Sequence, residues 1–221
     1  MNILAFDTST ELLSVCANQS EVSYFGAMEH AERIIPLIAQ ALNGAKIELK
    51  NVDAFVIGAG PGSFTGLRVG FATLQGFAIA TDKPCYSIPS LDATAYAGRN
   101  QAEVTAVVMD ARRDRVYLGI YQSGKRDYSC VTPDEAAEKL KALSKSVWIT
   151  GNGLAKYAEV FQKNLPKSLL ADESFWYPHS SKLIEIYNER KSELKPVPVN
   201  QLLPLYLQDP HIGPAKVKIQ R

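Results

Sequence analysis

VIGAGPGSFTGLRVG, residues 56–70, decides how the rest of the chain is read. An apolar run ends in Gly-x-Gly, and a helical pattern follows it. A buried strand leading through glycines into a helix is the layout of an α/β unit. The layout returns at 148–153, WITGNG. A second pair matches as well. ILAFD at 3–7 and AVVMD at 106–110 are apolar runs that end in Asp and precede a hairpin. Both halves share one order: strand ending in Asp, hairpin, helix, strand ending in Gly-x-Gly, helix. This predicts an α/β fold of two lobes produced by internal duplication. Because strand–helix alternation is common, two unrelated lobes could show the same order. A polar stretch at Arg99–Glu103 sets the expected boundary, with a first lobe at 1–101 and a second at 102–221.

The elements follow from periodicity and punctuation. Strands are predicted at 2–7, 12–18, 22–28, 53–58 and 84–89, the first three as an antiparallel meander. Helices are predicted at 30–43, closed by Gly44, at 64–80 behind an N-cap at Ser63, and at 90–98. In the second half, strands are expected at 104–110, 115–121 and 147–153. Helices are expected at 133–143, with Pro133 at its start and acids in its first turn, and at 181–193. From Lys195 the chain is proline-rich and read as extended, ending basic with Lys216, Lys218 and Arg221.

Composition narrows the class. At 221 residues, 46% apolar and 21% charged, the chain has the size and make-up of a soluble globular protein. Residues 1–100 carry six Lys/Arg against nine Asp/Glu, and residues 101–221 eighteen against fourteen. A swing from −3 to +4 is too mild to mark a basic binding face. Cys16, Cys85 and Cys130 are scattered and odd in number, which predicts buried thiols in a reducing compartment. The NILAFD start shows no signal peptide, and no apolar run is long enough for a membrane span. A cytoplasmic location is expected.

The glycine loop departs from the phosphate-binding templates. Gly66 is followed by Leu67 and Arg68, so Walker A is absent. Strict G-x-G-x-x-G fails at Ser63 or Thr65, and Asp82 is misplaced for a ribose contact. Two readings stay open for Gly60 and Gly62: an anion-binding turn, or a tight packing turn. Gly66 and Gly70 lie i,i+4 on the helix and read as a row for close packing, with anion binding the lesser alternative.

Other candidates are few. Asp7 closes a strand and is followed by Thr8, Ser9 and Thr10, a set that can hold a metal–phosphate or simply close a turn. Asp110 takes the equivalent place, but Ala111, Arg112 and Arg113 replace the hydroxyls. His30 has Ile34 at i+4, so no H-x-x-x-H metal pair exists, and His179 and His211 stand alone. No G-x-S-x-G elbow or triad appears. The expected site holds no metal and no cofactor. Helices 30–43 and 64–80 are apolar around most of their circumference. They are either sandwiched inside the domain or meet another protein chain.

NILAFDTST, HAERIIPLI, GPGSFTGLRVG, MDARRDRVY and PLYL together resemble the bacterial TsaB (YeaZ) family over nearly the whole chain. The resemblance implies a duplicated actin-like ATPase (ASKHA, ribonuclease H-like) fold. It also implies a non-catalytic role in making N6-threonylcarbamoyladenosine beside the tRNA anticodon. In the family the catalytic paralogue TsaD carries the metal on an H-x-x-x-H pair. The ATPase TsaE joins the two, and the chain forms a homodimer when alone. The interface in the family uses the first two helices, which maps here onto His30, Ile34, Ile35, Ile38, Leu42, Gly66, Val69, Gly70, Thr73, Leu74 and Phe77. Asp7, Thr8, Ser9, Thr10, Gly60, Gly62 and Asp110 would then be a vestigial nucleotide cleft, with tRNA met only through the complex. The alternative is a small ATP-dependent phosphotransferase using Asp7 and the Gly60–Gly62 loop. Many members end P-x-Y-L-R, whereas this chain has Gln208 in place of the Arg.

Overall fold

The computed structural model describes residues 1–26 and 28–208. The basic end of the tail and His211 lie outside the described residues.

Two five-stranded sheets carry the fold. The first holds β1 (Ile3–Asp7), β2 (Leu12–Ala17), β3 (Ser20–Phe25), β4 (Ala54–Gly58) and β5 (Cys85–Ile88), in the order β3-β2-β1-β4-β5. The second holds β6 (Val104–Asp110), β7 (Val116–Gln122), β8 (Lys125–Val131), β9 (Val147–Thr150) and β10 (Leu169–Leu170), in the order β10-β9-β6-β7-β8. The senses match too. β1 is antiparallel to β2 and parallel to β4; β6 is antiparallel to β7 and parallel to β9. The predicted duplication is realised strand for strand. β1 and β4 are buried at every residue because both faces of the sheet are covered, which is why they read as continuous apolar runs.

The helices are α1 (His30–Ala45), α2 (Phe64–Thr81), α3 (Ser90–Tyr96), α4 (Pro133–Ala142), α5 (Leu154–Asn164) and α6 (Ser180–Arg190). Ser63 caps α2 as expected, its Oγ accepting from Gly66 N at 3.2 Å. Thr132 and Glu135 form a reciprocal capping box on α4. Gly44 does not close α1; the left-handed residue is Lys46, with φ 57°. Strand β8 escaped sequence reading because it is a polar edge strand, KRDYSCV, with its first three residues exposed.

α1 and α2 cover the outer face of the first sheet. Ile34, Leu37, Ile38, Leu67, Phe71 and Leu74 pack there against Leu4, Phe6, Leu13 and Phe55. The inner faces are covered by exchange. Leu183, Ile184, Ile186 and Tyr187 of α6 pack on Ile3, Ala5, Cys16 and Val56 of the first sheet. Leu91 and Ala95 of α3 pack on Val107, Met109 and Tyr117 of the second. The 101/102 boundary therefore divides the chain but not the packing, since α6 belongs by sequence to the second lobe and by contact to the first. The segment after α6 also returns to the first lobe. Val197 N donates to Cys85 O, and Leu205 N to Ala59 O, each at 2.8 Å. Leu202 is buried in the α1–α2 core.

Candidate functional site

A cleft of about 610 Å³ opens between the lobes. Its walls are Ser9, Thr10 and Glu11 after β1, Gly62–Thr65 and Arg68 at the start of α2, Met109–Arg113 after β6, Tyr117, and Asn152 after β9. Tyr206 and Gln208 come from the returning tail. Apart from Tyr117 at the start of β7 and the two tail residues, the walls follow the C-terminal ends of β1, β4, β6 and β9, where an α/β sheet leaves its crevice. The pseudo-symmetry of the fold reaches the turns. Ser9 N donates to Asp7 Oδ1 at 2.8 Å, and Arg112 N to Asp110 Oδ1 at 3.0 Å.

The residues expected in a worn nucleotide cleft divide into two sets. Ser9, Thr10, Gly62 and Asp110 line the cleft; Asp7, Thr8 and Gly60 do not. Asp7 is fully buried beneath it. Besides Ser9 N, its carboxylate accepts from Ser9 Oγ and from Ser90 Oγ, each at 2.6 Å. Ser90 Oγ in turn accepts from Gly60 N at 2.9 Å. Burial pushes the Asp7 carboxyl above its ordinary range, against the opposing pull of these hydrogen bonds. The strand beside it is pressed close, as a Cβ on Gly58 would lie 1.7 Å from Asp7 Oδ2. Ser90 carried no signal in the sequence, lying 83 residues from its partner. Asp110 is tied up differently, by Lys156 Nζ at 3.5 Å and by its own turn. Glu11 bridges the lobes, accepting from Asn152 Nδ2 at 3.0 Å and facing Arg112 at 3.6 Å. Among the described residues no three His, Cys, Asp or Glu side chains gather as a metal-binding group.

The two apolar helices need a correction. His30, Ile34, Ile38, Leu42, Gly66, Gly70 and Leu74 are buried in the chain's own core and cannot present themselves to a partner. Cβ atoms on Gly66 and Gly70 would lie 2.2 Å from Thr8 O and 2.4 Å from Thr8 Oγ1, so this glycine row seats α2 on the β1–β2 turn. His30 is buried beside Gly66, and burial lowers its pKa. Of the expected interface residues, Ile35 is exposed, and Val69, Thr73 and Phe77 are half-buried. The outward faces carry others that sequence reading passed over. Ile79, 75% exposed, joins Ile35, 53% exposed, among exposed Ala31, Ala39, Ala72, Gly76 and Ala80. The signal was the 3.6-residue phase, which fixes the outward side only once the inward side is known.

Comparison with known proteins places the chain. The family model described as TsaD, tRNA N6-adenosine threonylcarbamoyltransferase, matches residues 24–215. The tRNA threonylcarbamoyladenosine biosynthesis protein TsaB of Haemophilus influenzae is 29% identical, covering 95% of this chain and 94% of that protein. The chain belongs to the TsaB (YeaZ) family. YeaZ from Pseudomonas aeruginosa superposes with a TM-score of 0.75 at 29% identity, over 93% of this chain and 99% of that one. The ethanolamine utilization protein EutJ of Carboxydothermus hydrogenoformans shares only the fold, with a TM-score of 0.52 and 9% identity over 83% and 89% of the two chains. The fold is the duplicated actin-like ATPase fold. No described helix of this TsaB-family chain is long and apolar enough to cross a membrane.

Proposed function

We propose that this TsaB-family chain is the non-catalytic subunit of the synthase that makes N6-threonylcarbamoyladenosine in tRNA. It pairs with the catalytic paralogue TsaD in the cytoplasm, TsaE joins the pair, and tRNA is met through the complex. Without TsaD, two copies pair through the same surface. The outward face of α1 and α2 carries this reading. Along the 18 residues of α2 the only charged side chain is Arg68. A Cβ on Gly76 would meet nothing within 4 Å, so the flat side of this glycine faces outward, unlike Gly66 and Gly70. Alanines, a glycine and two exposed isoleucines, bordered on α1 by exposed Glu32, Arg33 and Gln40, make a surface on which another helix can lie close. The sealing of Asp7 by Ser9 and Ser90 supports the non-catalytic half of the reading, because a carboxylate engaged by three donors is poorly placed to receive a metal–phosphate.

Co-expression with TsaD, followed by size-exclusion chromatography, tests the pairing. Ile35→Asp and Ile79→Asp each place a charge on the face. Each is expected to weaken pairing by about 100-fold or more, while the far-UV circular dichroism spectrum of the lone chain stays that of the folded protein. Co-elution of both variants at the wild-type level would sink the interface.

A further inference from the structure

We infer that the mouth of the cleft is a contact site for single-stranded RNA, with an unstacked base on the Phe64–Tyr206 rings and backbone phosphates on Arg68 and Arg113. The inference rests on the proposed role in tRNA modification and adds a direct contact by this chain. Phe64 and Tyr206 have ring centroids 5.4 Å apart. The Arg68 guanidinium lies 3.9 Å above the Phe64 ring, and Tyr206 is 41% exposed. Aromatic rings beside an arginine plane form the platform on which unstacked bases rest, whatever their sequence.

The opposite wall is unusual in its backbone. Arg112, Arg113 and Asp114 are successive non-glycine residues in the left-handed region, with φ of 64°, 50° and 53°. A turn that needs only this conformation would use glycine or asparagine. Two arginines held there, both exposed at the cleft, indicate that their side chains are what the turn presents. Arg112 is paired with Glu11, whereas neither Arg113 nor Arg68 has a carboxylate within 4 Å among the described residues.

The test uses the full chain, alone and paired with TsaD, and a fluorescein-labelled anticodon stem-loop RNA read by anisotropy. Binding by the lone chain is expected. It should weaken about tenfold or more in Arg68→Glu/Arg113→Glu, with the salt dependence shallower by about 1.4 in log–log slope for two lost single-strand phosphate contacts. Tyr206→Ala should weaken it about 5- to 100-fold, and Tyr206→Phe should restore it. A fully paired duplex of the same length should bind less tightly. Unaltered melting curves confirm that the variants fold. The inference is overturned if the lone chain does not bind, or if the variants bind like wild type. It is also overturned if AMP displaces the RNA completely, or if the variants lose TsaD or TsaE and keep RNA. Co-elution with TsaD is scored separately, so a chain that pairs but ignores RNA refutes this contact and leaves the proposed function standing.

Discussion

At Asp7 a carboxylate with two oxygens receives three donors, from Ser9 N, Ser9 Oγ and Ser90 Oγ. Asp7→Asn replaces one acceptor with a donor and sets it against a hydroxyl already fixed by Gly60 N. The expected loss is about 1–3 kcal/mol in chemical denaturation, with pairing to TsaD retained in size-exclusion runs. A loss of modification activity at unchanged stability and pairing would instead make Asp7 catalytic. The glycines of α2 give a second contrast. Gly70→Ala drives a Cβ to 2.4 Å from buried Thr8 Oγ1 and should cost about 1–3 kcal/mol. Gly76→Ala meets open space in the single chain and should raise its stability by up to about 1 kcal/mol when measured in the unpaired Ile35→Asp background. Equal thermal shifts in the two would contradict the placement of α2. Asp7 was legible as a strand-ending carboxylate, but its partner Ser90 was not, because no local pattern links residues so far apart in the chain.

At the scale of elements, Glu21 of β3 holds the start of α6. Its carboxylate accepts from Ser181 N at 3.0 Å, Ser181 Oγ at 2.8 Å and Ser14 Oγ at 2.9 Å. Burial alone would raise its pKa, but these hydrogen bonds and His179 outweigh burial and hold it at about 2, below 4.5. A lowered native pKa stabilises the fold above pH 4.5 and loses that contribution as pH falls toward 2. The contribution is about 3 kcal/mol at neutral pH. In denaturant melts Glu21→Gln should be less stable than wild type by an amount of that order, and the gap should close as pH drops through this window. A gap independent of pH would refute the tie. Helix existence was legible from periodicity, and β1, β4 and α2 fall within a residue or two of their expected ends. On α1 the polar Glu32, Arg33, Gln40 and Asn43 mark the outward side. The outward side of α2 was not legible, because a helix with apolar residues nearly all round carries little phase, and only the sheet beneath it selects Leu74 as core and Ile79 as surface.

The whole molecule is tied together by exchange. α3 leaves the first sheet to cover the second, and α6 leaves the second to cover the first. The full chain should therefore unfold in one calorimetric transition. A fragment of residues 1–101 should fail to fold, since it bares the face that Leu183, Ile184, Ile186 and Tyr187 cover. A native-like circular dichroism melt from that fragment would show the lobes to be independent. The sequence by itself determined the duplication, the strand and helix order, and the family, because these rest on local periodicity and on motifs contiguous in the chain. Only the tertiary structure decided which helix covers which sheet, that Asp7 is sealed by Ser90, that Gly66 and Gly70 face inward, and that Phe64, Arg68, Arg113 and Tyr206 meet at one cleft. Those are contacts between residues distant in sequence, and they are fixed by the packing of faces on which no single segment carries information.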